Sequence, residues 1–365
     1  MDKFVNGINK FKSQSLAKFV QNPIYIILFV SDKCWQKCSH CWYSADWKRE
    51  NLEKKNLTFD ELELISKSIK RLEFLSITGG DAFLREEIVE IFDVFNKNSK
   101  IHRFDTPTSG FDPDRIILKT EQILKKLDGK PFRVDVSLDG TEEVHNSIRK
   151  NKHSYKNAVT TIKELNKLKK KHDNFDTSII TTISKTNMHE VETMAALVDD
   201  LLPTGEWMIN IARPATVDGC TASDNELLAY KKANTILEGN IKNGFHQGDK
   251  GHKFGKFLTA KNQVRREYID KIIKGKKHGL SCSAGSLIGV IFNDGQVRPC
   301  ETLPDTIANI RDFDYDLIKL WQSQKAAEIR KKIIDTKCMC SHECFLSVSL
   351  LVHGKSLLKI LGKSL

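Results

Sequence analysis

Cys34, Cys38 and Cys41 form a compact set of metal-binding side chains with the spacing C-x3-C-x2-C. They follow the apolar residues 25–30, which have the composition of a buried parallel strand. Three thiolates can hold three irons of a 4Fe-4S cluster and leave the fourth iron open to another ligand. A structural zinc would need a fourth protein ligand, for which His40 is the nearby candidate. Because His40 lies between two of the cysteines, where a closed zinc site is awkward, the iron-sulfur interpretation is favoured.

The other grouped cysteines are also predicted to be metal ligands. The sequence has nine cysteines, and eight of them fall at residues 34–41 or 282–344, while Cys220 stands alone. No apolar run has the length of a bilayer crossing, and the first residues lack the apolar core of a signal peptide. We therefore expect a cytoplasmic protein, in which cysteines bind metal rather than form disulfides.

A repeating pattern of strands and helices must position these cysteines. Short apolar or β-branched runs predict strands at residues 25–30, 74–78, 103–106, 132–137, 178–183 and 207–211. Helical stretches lie between them; Thr58 with Glu61, and Asn187 with Glu190, predict capping boxes at two helix starts. This α/β alternation predicts parallel strands with right-handed crossovers, arranged as an open doubly wound sheet or an incomplete barrel. After residue 218 the pattern becomes charged and helical, with a loop at residues 250–256.

The segment from Cys34 to Cys41, with His40 before the last cysteine, resembles the cluster loop of the radical S-adenosylmethionine (SAM) superfamily. The resemblance implies that the open iron chelates the amino and carboxylate groups of SAM. An electron from the cluster then breaks a carbon-sulfur bond and gives methionine and a 5'-deoxyadenosyl radical, which takes a hydrogen atom from a substrate.

Later segments match the same family in order. Thr78-Gly79-Gly80-Asp81 resembles the GGE motif that holds the SAM amino group, with Asp81 in place of the usual Glu, although a strand-ending turn would also explain it. Ser109, within Thr108-Ser109-Gly110, stands where relatives often carry Asn. The resemblance implies a partial (β/α)6 barrel over residues 24–216, with its chemistry at the carboxyl ends of the strands.

A further segment, Ser137-Leu138-Asp139-Gly140, is similar to the SLDG stretch of the family branch that carries extra clusters. That likeness places Ser137 and Asp139 near the SAM ribose and the substrate. Arg149 could pair with a carboxylate, or it could belong with His145 to a hydrogen-bond network at a helix start. Arg213 ends the last strand and is a further candidate for contact with SAM or substrate.

The second cysteine group resembles the SPASM/twitch extension, a small α+β domain that carries an auxiliary 4Fe-4S cluster. Cys282 is followed by twelve residues, Gly295, four residues and Cys300, and Asn293-Asp294-Gly295 predicts a hairpin turn. Cys338, Cys340 and Cys344 are too few to build a second auxiliary cluster. The expected ligands are Cys282, Cys300, Cys344 and either Cys338 or Cys340, with structural zinc as the alternative.

Cys220 follows the last barrel strand and could donate a hydrogen atom to a substrate radical, as in radical epimerases, although most lone cysteines are simply buried. With more cysteines grouped in the C-terminal region, oxidation with an auxiliary cluster as electron acceptor is favoured over epimerisation. We expect a sugar-like small-molecule substrate. The alternatives are a peptide-modifying maturase, a radical epimerase and, in another class, a non-catalytic iron-sulfur protein.

The predicted organisation has five parts: an N-terminal helical extension at residues 1–23, the radical SAM core at 24–216, a helical linker at 217–280, the auxiliary-cluster domain at 281–345 and an amphipathic tail at 346–365. The net charge of +11 favours a phosphorylated, nucleotide-bearing or membrane-surface partner over a cationic one. The family resemblance implies a low-potential electron donor such as flavodoxin or ferredoxin, and no nucleic acid is expected. The two basic, apolar chain ends could contact a membrane, but docking on the protein's own core is favoured.

Overall fold

The computed structural model describes residues 22–43, 56–213, 223–246 and 255–364. Its nine strands within these ranges are β1 Tyr25–Phe29, β2 Arg71–Thr78, β3 Lys100–Thr108, β4 Phe132–Ser137, β5 Phe175–Ile183, β6 Glu206–Ile211, β7 Ile288–Ile291, β8 Gln296–Arg298 and β9 Ala308–Asn309. The α-helices are α1 Phe59–Ser68, α2 Ile88–Asn98, α3 Pro113–Leu127, α4 Glu142–Arg149, α5 Ser154–Lys169, α6 Val191–Leu201, α7 Asp224–Lys242, α8 Gly255–Ile273, α9 Leu317–Trp321, α10 Gln324–Asp335, α11 Glu343–Val352 and α12 Gly354–Ser364. Residues 1–21 of the expected N-terminal extension, residues 250–254 of the predicted loop, and Cys220 lie outside the described residues.

All nine strands belong to one sheet, in the order β6-β5-β4-β3-β2-β1-β7-β8-β9. Strands β1 to β6 pair in parallel, each with its successor along the chain, and helices fill the connections. Every residue of β1 is buried, because the strand is covered on both faces. The prediction of an α/β fold with a partial barrel of six strand-helix units is confirmed.

The strands and the first helix begin and end close to the residues predicted from local sequence signals. The six predicted strands are all present, and β4 has the predicted bounds. At the start of α1 the Thr58 side chain accepts a hydrogen bond from the Glu61 N–H at 3.2 Å, while Glu61 Oε2 accepts from the Thr58 N–H at 2.8 Å. The predicted capping box is therefore confirmed, and α1 buries Leu62 and Ile65 against the sheet.

The second predicted capping box is wrong. Helix α6 does begin after Glu190, but no side chain caps it. The Asn187 amide instead donates to the carbonyl oxygens of Asp139 at 2.7 Å and Thr182 at 2.9 Å. The Glu190 carboxylate accepts from the N–H and hydroxyl of Thr141. Both side chains are used to join the loops after β4 and β5, which are distant in sequence and adjacent in space.

The C-terminal cysteine region joins the barrel sheet. Strands β7 and β8 are antiparallel: Val290 pairs with Arg298, and Ile291 pairs with Val297. In the turn between them, Gly295 has φ +87°. The predicted hairpin at Asn293-Asp294-Gly295 is thus confirmed. Strand β7 also pairs in parallel with β1, and the register runs from Tyr25 opposite Ile288 to Leu28 opposite Ile291. The hairpin therefore extends the barrel sheet at the edge opposite β6.

The C-terminal tail packs on the protein itself. Helix α12 buries Ile360, and Lys359 and Lys363 both pair with Glu267 of α8, the latter at 3.3 Å. Among the described helices no single one is long and apolar enough to cross a bilayer; α11 and α12 meet the length and composition test only as a pair, bent by 92°.

Candidate active site

The cysteine loop is held at the carboxyl end of β2 by backbone hydrogen bonds. The N–H of Gly80 donates to Ser31 O at 2.9 Å, and that of Asp81 to Lys33 O at 2.8 Å. A Cβ on Gly79 would lie 2.4 Å from Ser31 O, and one on Gly80 would lie 2.3 Å from Lys33 O. The two glycines are therefore needed because the cysteine loop itself lies against this backbone.

Asp81 connects the end of β2 to the end of β3. Its buried carboxylate accepts hydrogen bonds from the Phe83 N–H, the Thr108 hydroxyl, the Ser109 N–H at 3.0 Å and the Ser109 hydroxyl at 2.6 Å. Burial raises the pKa of Asp81, while these donors oppose the shift. Asp81 and Ser109 thus fix two strand ends relative to each other, and their contact with SAM stays a prediction.

An ion pair between Asp139 and Arg149 braces the loop from the other side. The Arg149 Nε donates to Asp139 Oδ2 at 2.7 Å, and Arg149 Nη1 lies 3.5 Å from the Cys38 sulfur. Although burial favours the neutral carboxyl, Arg149 holds the pKa of Asp139 down to about 2. Both side chains are buried, so this charge pair lies beside the cysteine loop with little access to water.

His40 points into the same buried space. Its Nε2 lies 3.9 Å from Asp139 Oδ2, and its buried Nδ1 has no hydrogen-bond partner within the described part of the chain. Burial lowers the pKa of His40 to about 4. The ring is therefore neutral at physiological pH and leaves one polar atom for a ligand.

Two residues of this network carry no sequence signal that we used. Gln36 Oε1 contacts the Cys38 sulfur at 3.8 Å, and the Gln36 amide donates to the Ser154 hydroxyl at 2.5 Å. Ser154 also bonds His145 Nε2 at 2.9 Å, while His145 Nδ1 accepts from the Asp139 N–H at 3.0 Å. His145 is therefore part of a hydrogen-bond network, which is one of the two alternatives predicted for this segment.

The three cysteines of the loop lie within electrostatic reach of one another. Desolvation raises the pKa of the Cys34 thiol to about 12, and the charges of Asp81, Cys38 and Cys41 act in the same direction. Thiolates in such a place require a cationic centre. In the described ranges no three His, Cys, Asp or Glu side chains converge on a single metal ion.

A cavity of about 390 Å³ occupies the barrel interior beside this site. Alternate residues of all six parallel strands form its wall, and α11 covers one side. Two residues at strand ends also line the cavity. They are Thr78, which directly precedes Gly79, and Arg213. Its polar and sulfur-bearing lining includes Ser76, Asp105, Asp135, Arg133, Asn210, Glu301, His342, Glu343 and Cys344. Ser137 ends β4 at the same edge of the barrel and is half-buried.

Arg213 joins the barrel to the C-terminal cysteine region. Its Nη1 donates to Glu301 Oε2 at 3.0 Å, its Nη2 lies 3.3 Å from His342 Nδ1, and its guanidinium stacks 5.6 Å from the Trp42 ring centre. Although burial favours a neutral Glu301, His342 and Arg213 hold its pKa down to about 2. Glu301 and His342 were missed by sequence reasoning, although each lies beside a cysteine of the second group.

The second group contains two thiol environments. Burial raises the pKa of the Cys282 thiol to about 12, and the charges of Cys340, Cys338 and Cys300 act in the same direction. Cys344 begins α11 and lines the barrel cavity. The expected ligand set of Cys282, Cys300, Cys344 and either Cys338 or Cys340 stays a prediction.

The model of the radical SAM superfamily matches residues 28–198. Among curated proteins, GTP 3',8-cyclase of Actinobacillus pleuropneumoniae serotype 5b (strain L20) is 26% identical over 107 residues, which is 29% of this chain and 31% of the relative. The GTP 3',8-cyclase of Pasteurella multocida (strain Pm70) is 24% identical over 136 residues, or 34% and 40% of the two chains. The matched part thus spans about a third of the length of these relatives.

Solved structures share the fold over more of the chain. Streptococcus suis SuiB matches with TM-score 0.60 and 14% identity, over 88% of this chain and 71% of SuiB. Native anSMEcpe with bound AdoMet matches with TM-score 0.59 and 16% identity, over 94% and 97% of the two chains. The shared fold therefore includes most of the C-terminal cysteine region. Residues 28–198 therefore match the radical SAM superfamily, and the cysteine loop and its supports lie within this matched part of the chain.

Proposed function

We propose that this enzyme cleaves SAM reductively and uses the resulting 5'-deoxyadenosyl radical to abstract hydrogen from a small, polar, sugar-like molecule. Cys34, Cys38 and Cys41 would hold the 4Fe-4S cluster that supplies the electron and chelates SAM. The observation that carries the proposal is that Thr78, at the strand end that supports the cysteine loop, also lines a barrel cavity whose wall contains carboxylate and guanidinium groups.

The cavity supports a small substrate. Its volume of about 390 Å³ lies at the lower end of the usual range for ligand pockets, roughly 300–1,000 Å³. Carboxylates, guanidinium groups and hydroxyls lie among the apolar residues of its wall, and such groups can bond the hydroxyls of a sugar. The β-barrel would exclude bulk water, while the buried Asp139–Arg149 pair and His40 would orient SAM from the loop side.

We further propose net oxidation, with an auxiliary 4Fe-4S cluster in the C-terminal region as the electron acceptor. That region holds five cysteines, enough for one four-thiolate cluster. Cys300 ends the hairpin whose first strand pairs with β1, which supports a short path between the barrel and this second centre. Cys220, the alternative hydrogen donor for an epimerase, lies outside the described residues. A low-potential donor such as a flavodoxin or ferredoxin would supply the electron for SAM cleavage.

The test is anaerobic reconstitution followed by dithionite and SAM, with 5'-deoxyadenosine measured by mass spectrometry. The wild type should hold about eight irons per chain, and a variant with Cys34, Cys38 and Cys41 all replaced by alanine should hold about four and release no 5'-deoxyadenosine. The matched control is Cys220→Ser, which should keep both properties. A fully loaded wild type that never cleaves SAM would contradict the proposal.

A panel of deuterated substrates then identifies the substrate class. Sugars and sugar nucleotides should pass deuterium to 5'-deoxyadenosine, and peptides should not. The opposite result would favour a peptide substrate, as in the solved SuiB with precursor peptide SuiA and anSMEcpe with Kp18Cys peptide. Solvent deuterium in the product, with turnover lost in Cys220→Ser, would replace oxidation by epimerisation.

A further inference from the structure

One carboxylate in the wall of the barrel cavity lacks a hydrogen-bond donor. Asp105 lies on β3, lines the cavity and is only 6% exposed. Its Oδ1 has no hydrogen-bond partner among the residues that the structure describes. Because buried carboxylate oxygens in folded proteins are normally bonded to a donor, this oxygen indicates that a ligand in the cavity supplies one.

The guanidinium beside Asp105 is engaged more closely by two other carboxylates. Arg133 Nη2 lies 3.8 Å from Asp105 Oδ2, whereas Arg133 Nε lies 2.6 Å from Asp135 Oδ1 and Arg133 Nη1 lies 2.9 Å from Glu206 Oε2. Three carboxylates therefore share one guanidinium. A group of this composition away from water is stabilised when a proton or a further cation joins it.

Other basic side chains of this region act on different groups. The Arg103 guanidinium lies over the Phe74 ring, 6.0 Å from its centre. The charges of Arg265 and Lys261 lower the pKa of Glu206. The carboxylate on β3 is thus left without a cation in close contact within the described part of the chain.

The acid–base behaviour of Asp105 agrees with this imbalance. Burial raises the pKa of Asp105 to about 7, and the negative charge of a neighbouring carboxylate adds to the shift. The titratable and polar side chains that act on it or feel its charge come from β1, β2, β3, β4 and α11, and they are Tyr25, Ser76, Arg103, Arg133, Asp135 and Cys344. Without a ligand the site reduces its negative charge by taking up a proton, which a cationic ligand would replace.

We propose that the barrel cavity recognises a substrate that carries a protonated amine, and that Asp105 binds this ammonium group. Hydrogen bonds between an ammonium and a carboxylate are charge-assisted and about twice as strong as those between neutral groups. Glu343 Oε1 is a second oxygen of the cavity wall without a partner in the described ranges, on a residue only 8% exposed, and it would accept from another donor of the same ligand.

This inference rests on the proposed function, because it takes the cavity to be the substrate site. It narrows the sugar-like substrates of that proposal to members that bear an amine. Asp105 would then determine specificity, since a neutral hydroxyl in the same place would leave the negative charge of the three carboxylates uncompensated.

The test measures ligand binding to the reconstituted full-length protein by isothermal titration calorimetry, with SAM present and no reductant. The probes are two pairs in which an ammonium group replaces a hydroxyl: glucamine with sorbitol, and cyclohexylamine with cyclohexanol. Each amine should bind about tenfold more tightly than its alcohol. A lack of amine preference in both pairs, including a lack of any binding, would overturn the proposal.

The pH dependence and one substitution assign the preference to Asp105. Amine affinity should be higher at about pH 8 than at about pH 6, because the carboxylate becomes ionised while alkylamines stay protonated. Asp105→Asn keeps an oxygen acceptor without the charge, so it should lose both the amine preference and this pH dependence. The matched control Asp335→Asn, which changes a surface carboxylate, should keep both.

An amine preference that persists in Asp105→Asn would overturn the assignment of this residue. Should that variant fail to fold, the comparison of amines with alcohols and of the two pH values in the wild type still decides. Binding requires no SAM cleavage, so a protein that prefers amines but releases no 5'-deoxyadenosine would contradict the proposed function alone.

Discussion

At the scale of single residues, the cysteine loop depends on charges that are paired away from water. Asp139 and Arg149 are both buried, and Arg149 reaches the Cys38 sulfur as well as the carboxylate. Such a pair contributes little net stability compared with apolar residues, but removal of one partner leaves an uncompensated buried charge. Its placement therefore indicates a role in shaping the site.

Asp139→Asn should lower the free energy of unfolding by about 3 kcal/mol, because Arg149 keeps its charge without a matching carboxylate. Urea unfolding of the iron-free protein measures this effect. Asp335→Asn is the matched control, since Asp335 pairs with Lys331 on the surface and should cost less than about 1 kcal/mol. Equal costs for the two variants would show that the buried pair has no special importance.

Asp105 makes the free energy of unfolding depend on pH. Burial raises its pKa from 3.8 to about 7, with the charge of Asp135 adding to the shift. The folded protein thus binds a proton that the unfolded chain has released between these two pH values. Stability from this group is therefore present at low pH and falls as pH rises towards 7.

Relative to the wild type, Asp105→Asn should therefore gain more in unfolding temperature at about pH 8 than at about pH 5, which changes the difference between the two pH values. Thermal unfolding of the iron-free protein at both pH values provides the measurement. Asp335→Asn again serves as the control and should leave the difference unchanged. An unaltered pH difference in Asp105→Asn would mean that the buried carboxylate stays ionised throughout.

At the scale of elements, the site is an edge where loops and strand ends meet. The cysteine loop continues the β1–β2 pairing through Ser31 and Lys33, and Gly79 and Gly80 make room for it. The loop is thereby fixed by main-chain geometry, and its cysteines need only follow the backbone.

Gly80→Ala should displace the cysteine loop, because the new Cβ would lie 2.3 Å from the Lys33 carbonyl oxygen. We expect the reconstituted variant to lose about four irons while the auxiliary signal persists. Gly239→Ala is the control, since a Cβ there meets no atom within 4 Å and alanine favours the helix. Full iron content in Gly80→Ala would show that the loop tolerates the shift.

At the scale of the whole molecule, the barrel and the C-terminal region share one sheet. Strand β7 pairs with β1 over four residues, Phe292 stacks on Phe29 with ring centres 4.9 Å apart, and Arg311 Nε bonds Glu61 Oε1 at 2.6 Å. Shared strands and aromatic packing couple the unfolding of the two regions.

Hydrogen exchange of the reconstituted protein should therefore report the same opening free energy for β4 and β7, within about 0.5 kcal/mol. Helix α12, whose end residues are largely exposed, should exchange more readily. Rapid exchange of β7 while β4 remains protected would show that the C-terminal region opens independently.

The sequence by itself determined the six parallel strands, the hairpin turn and the cluster loop, while the choice of a partial barrel over an open sheet depended on the family resemblance. Each depends on short-range signals: apolar runs, the Thr58–Glu61 cap, the positive φ of Gly295 and the close spacing of three cysteines. Such signals act between neighbours along the chain, so they can be read without coordinates.

Only the tertiary structure decided which distant groups meet. In the folded chain β7 pairs with β1, and the Asn187 side chain bonds the loop after β4. Arg213 contacts Glu301 and His342. The tertiary structure also placed Cys344, in the first turn of α11, in the wall of the barrel cavity. Partners of this kind are selected by packing and desolvation across the folded chain, which spacing in sequence does not encode.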